Sequence, residues 1–259
     1  KSSYGKWRII LKILLYYIKL YTLIVSQYIK SRMQYRADFF ISSIGILLES
    51  GAGFFSLWVI FHSISKLVGW SYNEIIFDNI WHLSSHIRQG TFIKYYFRPL
   101  NMMFYYMSEV FDIKGFTKLA LGIAAFIYAS FKLGITWTFP KFILLLTLLF
   151  SSSLIMISLM IMAASTSFWT GEASSVLIFV FKFGEYSRYP VTIFNSFFKF
   201  LFTYIIPIGF VAFYPSKFFL RPTETNILAY LSPVAGILLF FLAYLIWKKG
   251  VNSWTGTGS

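Results

Sequence analysis

Few residues of this chain could do chemistry. Its 259 residues include three histidines, nine acids and no cysteine. Without cysteine the chain has no disulfide, no thiolate metal site and no thiol redox centre. The histidines at His62, His82 and His86 are too scattered to predict a zinc site. The sequence therefore predicts no metal ion.

Motifs for nucleotide binding and hydrolysis are also absent. The chain contains no GxxxxGKS/T loop, and its glycine-rich tail at 256–259 lacks the lysine and the following helix of such a loop. HExxH, GxSxG and paired carboxylates in a polar setting do not occur. We therefore expect no catalytic residue, no enzymatic activity by the chain itself and no directly bound cofactor.

Glu49 is the acid with the most unusual setting. It lies in the middle of an apolar run, where an unpaired charge costs about 2.5–3.5 kcal/mol. Together with Gly53 it belongs to a small and polar helix stripe, which is suited to close helix packing or to a cavity wall. Ser152 and Ser153 make a later run locally polar, and interhelical hydrogen bonding competes there with a role in a transport pathway.

Composition places these residues in a membrane. Hydrophobic residues make up 58% of the chain, charged residues make up only 12%, and the mean hydropathy is +0.68. One soluble core of this size cannot hide so much apolar surface. The formal charge of +14 comes from bases that flank apolar runs instead of forming one patch. This pattern favours anionic lipid over nucleic acid as the partner.

Apolar runs define the elements that must position these residues. Residues 1–30 combine a basic face with an apolar face and predict a helix lying in the headgroup layer. Within one all-α transmembrane domain, membrane spans are predicted at 37–62, 116–134, 141–166 and 226–247. The stretch 174–215 should supply a fifth span and a re-entrant segment, and length alone favours 197–213 as the span.

Basic residues at the span ends give the topology. They place the start of the first span and the end of the last span in the cytoplasm, so the number of crossings is even. A crossing is then required between His62 and Arg88, but no apolar run near 20 residues lies there. Our hypothesis is that a second transmembrane helix belonging between Glu74 and Trp81 is absent from this sequence.

The stretch 84–113 has the signals of short cytoplasmic helices. Ser84 as an N-cap and Gly90 as a C′ residue predict a helix of one or two turns. Thr91 and Asn101 predict two further helix starts, and Pro99 predicts a bend. Such a stretch is either a docking element for a soluble partner or an ordinary connection, and its spacing does not decide between the two.

Several short elements, taken in order, resemble a bacterial subfamily of ABC-2-type permeases, the membrane subunits of type-2 ABC exporters. They are 69–71 (GWS), 87–90 (IRQG), 98–101 (RPLN), 167–170 (SFWT), 188–190 (RYP), 210–215 (FVAFYP) and 256–259 (GTGS). The resemblance implies six transmembrane helices after an N-terminal interfacial helix, and a coupling helix between the second and third spans. It also implies that 174–186 is the fifth span and that the Pro207 region is re-entrant.

The resemblance further implies partners and a docking element, and the residues themselves add the cargo class and the expected contacts. Separate ABC ATPase subunits would carry ATP and Mg, and a second permease, identical or related, would complete the exporter of an amphiphilic cargo in the bacterial cytoplasmic membrane. Ile87 would insert into the ATPase, Arg88 would lie near a carboxylate of that partner, and Arg98 with Pro99 would lie at the membrane surface. The whole docking set would be Ser85, His86, Ile87, Arg88, Gln89, Gly90 and Thr91.

Two other functions remain open from the sequence. An ion-coupled secondary carrier would use Glu49 as its proton or sodium site, but such carriers show internal repeats and several intramembrane charges, which this chain lacks. A non-transporting membrane scaffold or immunity protein fits the composition but leaves the 84–101 arrangement without a use.

Overall fold

The computed structural model of the protein describes residues 2–32, 44, 78–109, 114–132, 134–220 and 227–255. Within these ranges the regular elements are helical. The helices are α1 (Ser2–Arg32), α2 (Asp78–Arg88), α3 (Met102–Glu109), α4 (Lys114–Lys132), α5 (Phe139–Ser165), α6 (Ser167–Thr170), α7 (Ser174–Glu185), α8 (Ser196–Phe200), α9 (Phe213–Leu220) and α10 (Ile227–Ser253). Short 3₁₀ turns occupy Thr91–Tyr95, Tyr186–Arg188, Val191–Ile193 and Ile208–Phe210, and a wider π turn occupies Leu201–Ile205.

Two long helices form the central pair. Among the described residues, two unbent helices are long and apolar enough to cross a membrane. They are Phe139–Thr170, with a mean hydropathy of 2.4, and Tyr230–Ser253, with a mean hydropathy of 2.0. They lie over the predicted runs at 141–166 and 226–247. The pair packs closely because Gly236 lies against the backbone of Ser151, where a Cβ atom would come within 3.0 Å of the carbonyl oxygen.

The N-terminal helix is continuous from Ser2 to Arg32, and its side chains from 11 to 30 are half-buried or exposed. Tyr17 packs edge-on against Phe104 of α3, with ring centroids 4.8 Å apart. Its position in a headgroup layer stays a prediction. The first predicted span at 37–62, apart from Ile44, lies outside the described residues, and so does the segment before Asp78 that bears on the missing-helix hypothesis.

The stretch 174–215 contains no straight helix of transmembrane length. Helix α7 has 12 residues and is about 18 Å long, which is less than the roughly 30 Å of a hydrocarbon core. Further along, Ser196–Ile205 and Ile208–Phe219 form a pair bent by 73°. The bend falls at Pro207, which has no amide proton to continue a helix. The expected bent path at Pro207 is therefore present, and the choice of the crossing segment stays open.

Buried side chains gather at two places along the α5–α10 pair. The Tyr106 cluster joins α2, α3, α6 and the end of α10, and we define it by Phe92, Tyr95, Tyr106, Phe168 and Trp247. The Phe202 cluster joins α5 to the bent pair, and we define it by Ile155, Phe202, Ile208, Phe210 and Tyr214. The residues with predicted docking roles belong to the Tyr106 end.

Candidate functional site

The predicted docking set spans the end of α2 and the turn that follows it, and this helix end is built as the sequence indicates. Gly90 has φ +68°, the left-handed conformation expected of a C′ glycine. The Gln89 amide donates to the Ser85 carbonyl at 2.9 Å, and the Gly90 amide donates to the Ile87 carbonyl at 3.2 Å. The docking set therefore ends in a fixed turn that directs the chain into Thr91–Tyr95.

The predicted start of this helix is wrong. The helix has 11 residues, about three turns, and Ser84 lies inside it instead of capping it. Ser84 is 2% exposed, and its hydroxyl oxygen accepts the Ala173 amide at 2.9 Å. A local capping rule failed because the partner of Ser84 lies 89 residues away in sequence.

Ile87 is placed inward. It is 1% exposed and packs in the subunit's own core together with Ile80 and Leu83. The expectation that Ile87 inserts into a partner is therefore wrong for this structure. Spacings of three and four residues give these side chains one apolar helix stripe, and that periodicity was the available signal.

Arg88 has its partner within the chain. Its guanidinium pairs with the carboxylate of Glu172. The predicted contact with a carboxylate of a partner stays a prediction. The Glu172 carboxylate also accepts the amides of Ala173 at 3.0 Å and Ser174 at 2.9 Å at the start of α7. Sequence reasoning missed Glu172, although an acid directly before a helix is a known stabilising pattern.

A second polar group lies between α2 and α3. His86 Nδ1 is 2.8 Å from Thr91 Oγ1. Burial lowers the pKa of His86, the Lys94 and His82 charges lower it further, and Glu109 opposes them. Glu109 accepts from Lys94 Nζ at 2.8 Å and also from the Tyr95 hydroxyl. The histidine is consequently held neutral at neutral pH.

Hydrogen bonds and ring contacts join α2 to α3 and hold the 78–109 segment against α6 and α10. Asn79 Nδ2 donates to the Tyr106 carbonyl and the Tyr106 hydroxyl donates to the Asn79 carbonyl, both at 2.5 Å. The Tyr96 hydroxyl donates to the Val251 carbonyl at 2.8 Å. Phe92 lies 5.2 Å from Phe168, ring centroid to ring centroid. The 78–109 segment is thus packed against α6 and the end of α10.

The outward surface of this segment follows Gly90. Phe97 is 79% exposed, and the chain bends at Arg98, Pro99 and Leu100 before α3. The Arg98 guanidinium lies 5.7 Å from the centre of the Tyr105 ring. Asn101 caps α3, because its Oδ1 accepts the Phe104 amide at 3.0 Å. The start predicted at Asn101 and the bend predicted at Pro99 are therefore both present.

The two serines of α5 differ in what they join. Ser152 Oγ lies 2.6 Å from the Val211 carbonyl oxygen and 2.8 Å from the Leu148 carbonyl oxygen. Ser153 Oγ donates to the Leu149 carbonyl within its own helix at 3.0 Å. Ser152 therefore connects α5 to the bent pair, whereas Ser153 does not. Glu49 and Gly53, the other predicted pathway residues, lie outside the described residues.

Small-molecule sites are limited in the part of the chain that the structure describes. No group of three or more His, Asp or Glu residues there is arranged to hold a metal ion. A cleft of about 120 Å³ opens between Met102 and Met103 of α3 and Trp247 and Lys248 of α10. Ligand pockets usually measure about 300–1,000 Å³, so this cleft does not describe a cargo site.

Comparison with known proteins identifies the family. Residues 47–258 match the family model described as ABC-2 family transporter protein. No curated protein and no solved structure matches the chain. The matched range includes α2, the bent pair and both long apolar helices. This chain therefore belongs to the ABC-2 family of membrane transport proteins.

Proposed function

We propose that the chain is the permease subunit of an ATP-driven ABC exporter in a bacterial cytoplasmic membrane. The family match over 47–258 is the observation that carries this proposal. Two permeases, identical or related, pair with two separate ATPase chains, and those chains bind ATP and Mg. The aromatic and apolar character of the helices favours an amphiphilic cargo.

Charge at the helix ends supports the orientation. Lys248 and Lys249 lie at the end of α10 next to the Tyr106 cluster, and basic residues mark the cytoplasmic side of spans. In the proposed exporter, the Tyr106 end faces the cytoplasm and the Phe202 end faces outward. The family pattern of six transmembrane helices requires one further crossing between His62 and Arg88, and the bent pair is the re-entrant element.

The ATPase docks on the surface that follows α2. With Ile87 buried, the exposed apolar side chains after Gly90 include Ile93 and Phe97, and Phe97 is the more exposed of the two. Gln89 and Thr91 add polar contacts beside them. A large side chain that becomes buried at the centre of an interface carries much of its binding energy. Phe97 is therefore the anchor of this joint, and the 78–109 segment transmits the applied force.

The test is co-purification of an ATPase. We expect the tagged chain, purified in detergent from its native host, to bring an ABC ATPase with it, identified by mass spectrometry. Phe97→Asp should reduce the recovered ATPase at least tenfold, since burying an unpaired carboxylate costs more than about 1.4 kcal/mol. Phe97→Leu should retain it.

A control comes from the far end of α5. Phe139→Asp makes the same change at a phenylalanine that is 77% exposed. This residue begins a 27-residue helix, so it lies about 40 Å from the Tyr106 end. The Phe139 variant should bind the ATPase normally. Absence of any ATPase with the parent chain contradicts the proposed function, and normal binding by Phe97→Asp contradicts only the anchor.

A further inference from the structure

We propose that Glu172 is the positioning residue that passes movement of the docking segment to α7. This inference rests on the proposed function, because it assumes that an ATPase moves the Gly90 turn. Glu172 lies directly between the two elements: its carboxylate pairs with Arg88 of α2 and accepts the first amides of α7.

A second contact reinforces the joint. Ser84, one turn before Arg88 on α2, accepts the Ala173 amide at 2.9 Å. Helix α2 therefore holds residues 172 and 173 at two points, through one buried hydroxyl and one ion pair. Two points of contact fix both the distance and the orientation of the α7 start relative to α2.

The turn before α7 is held in one conformation. Gly171 has φ +71°, which only glycine adopts readily. The Thr170 hydroxyl donates to the Glu172 carbonyl at 2.6 Å and closes the turn. The Glu172 side chain also accepts from the Ser174 hydroxyl at 2.5 Å. A displacement of α2 must consequently move the start of α7 or break the ion pair.

The joint is weak as a static support. The side chains of Arg88 and Glu172 are 55% and 43% exposed, and ion pairs this accessible to water contribute little to stability. The pair can be removed without unfolding the subunit, and its loss should appear in the movement of α7. This separates the proposal from a purely structural role.

Glu172→Gln is the decisive variant. The glutamine oxygen can still accept the two α7 amides, while the charge that pairs with Arg88 is removed. Glu185→Gln is its matched control, because it removes the same charge from the other end of α7, where the partner is Lys182 of the same helix. Ser84→Ala removes the second contact without changing the charge.

The readout is a single cysteine at Tyr189, which is exposed and lies just beyond the far end of α7. The cysteine-free chain makes this thiol unique. In the complex with its ATPase, ATP and vanadate should change the rate at which a maleimide labels the thiol. We expect Glu172→Gln to reduce that change severalfold, Ser84→Ala to reduce it in part, and Glu185→Gln to leave it intact.

Recovery of the ATPase and the melting temperature are measured beside the labelling. We expect Glu172→Gln to retain both, because the Phe97 surface and the α7 amide contacts are unchanged. If the ATPase co-purifies but Glu172→Gln leaves the labelling response unchanged, the proposed role of Glu172 is wrong. The same holds if the parent shows no response to ATP. If no ATPase co-purifies with the parent, the proposed function itself fails.

Discussion

At the residue scale, alanine substitutions at two glycines show how rigid the neighbouring side chains are. A Cβ atom on Gly250 would meet the Phe168 ring at 2.5 Å, and that ring is fixed between Phe92 and Trp247. A Cβ atom on Gly184 would meet only the flexible end of Met156. In Gly250→Ala, overpacking should cost about 1–3 kcal/mol of stability. The higher helix propensity of alanine should offset up to about 1 kcal/mol of that cost.

Thermal unfolding in detergent compares the two variants. Gly184→Ala should lower the melting temperature less than Gly250→Ala, because a methionine changes rotamer at small energetic cost. Equal shifts for both variants would contradict the rigidity that we assign to the Tyr106 cluster.

His86 gives the residue-scale pH prediction. Its pKa is lowered in the folded chain, chiefly by burial, from the usual value of about 6.5. The unfolded chain therefore binds a proton at this residue more readily than the folded chain does. The stability that the neutral His86 contributes is fully present above about pH 6.5 and is lost as the pH falls through the lowered pKa. Melting temperatures from pH 7.5 to 5.5 should decline less in His86→Gln than in the parent, and parallel curves would contradict the prediction.

Residue-scale features were predictable where the signal is local. Gly90 and Asn101 have the cap conformations that the sequence predicts, because a C′ glycine and an Asn N-cap act within one turn of the chain. The roles of Ser84 and Glu172 were not predicted, because they come from contacts between α2 and the start of α7, and Ser84 lies 89 residues from its partner Ala173. Tertiary pairing, which sequence spacing does not encode, decides such positions.

At the element scale, one hydrogen bond ties the two arms of the bent pair. Thr203 Oγ1 and the Tyr214 hydroxyl are 2.8 Å apart in a buried setting. Tyr214→Phe removes this bond and leaves the buried Thr203 hydroxyl without it, which should lower the free energy of unfolding by about 1–3 kcal/mol. Hydrogen exchange over 201–214 should rise. Tyr204→Phe, at an exposed tyrosine of the same arm, should leave exchange unchanged.

Elements were predictable in proportion to their apolar length. Long uninterrupted runs indicated α5 and α10, because about 20 apolar residues in sequence have few alternatives to a helix. The stretch 174–215 left two candidates for one span. Arg188, Pro190 and Pro207 interrupt it, and the resulting pieces are each too short to identify a crossing from length alone.

At the scale of the whole molecule, the two clusters hold different parts of the proposed exporter together. The Tyr106 cluster binds the docking segment to α6 and the end of α10, while the Phe202 cluster binds the bent pair to α5. The α5–α10 pair connects them, and Gly236 brings the two helices into close backbone contact. In the proposed exporter, we expect both clusters to stay intact while α7 shifts.

The topology of the whole chain gives the last prediction. Both termini should be cytoplasmic, because bases precede the first apolar run and follow the last one. Cysteines at Ser3 and Ser253 should resist a membrane-impermeant maleimide in intact cells and react after the cells are opened. A cysteine at Thr136, in the exposed connection between α4 and α5 at the other end of α5, should react in intact cells. Labelling of only one terminus, or protection of all three positions, contradicts an even number of crossings with α5 running from outside to inside.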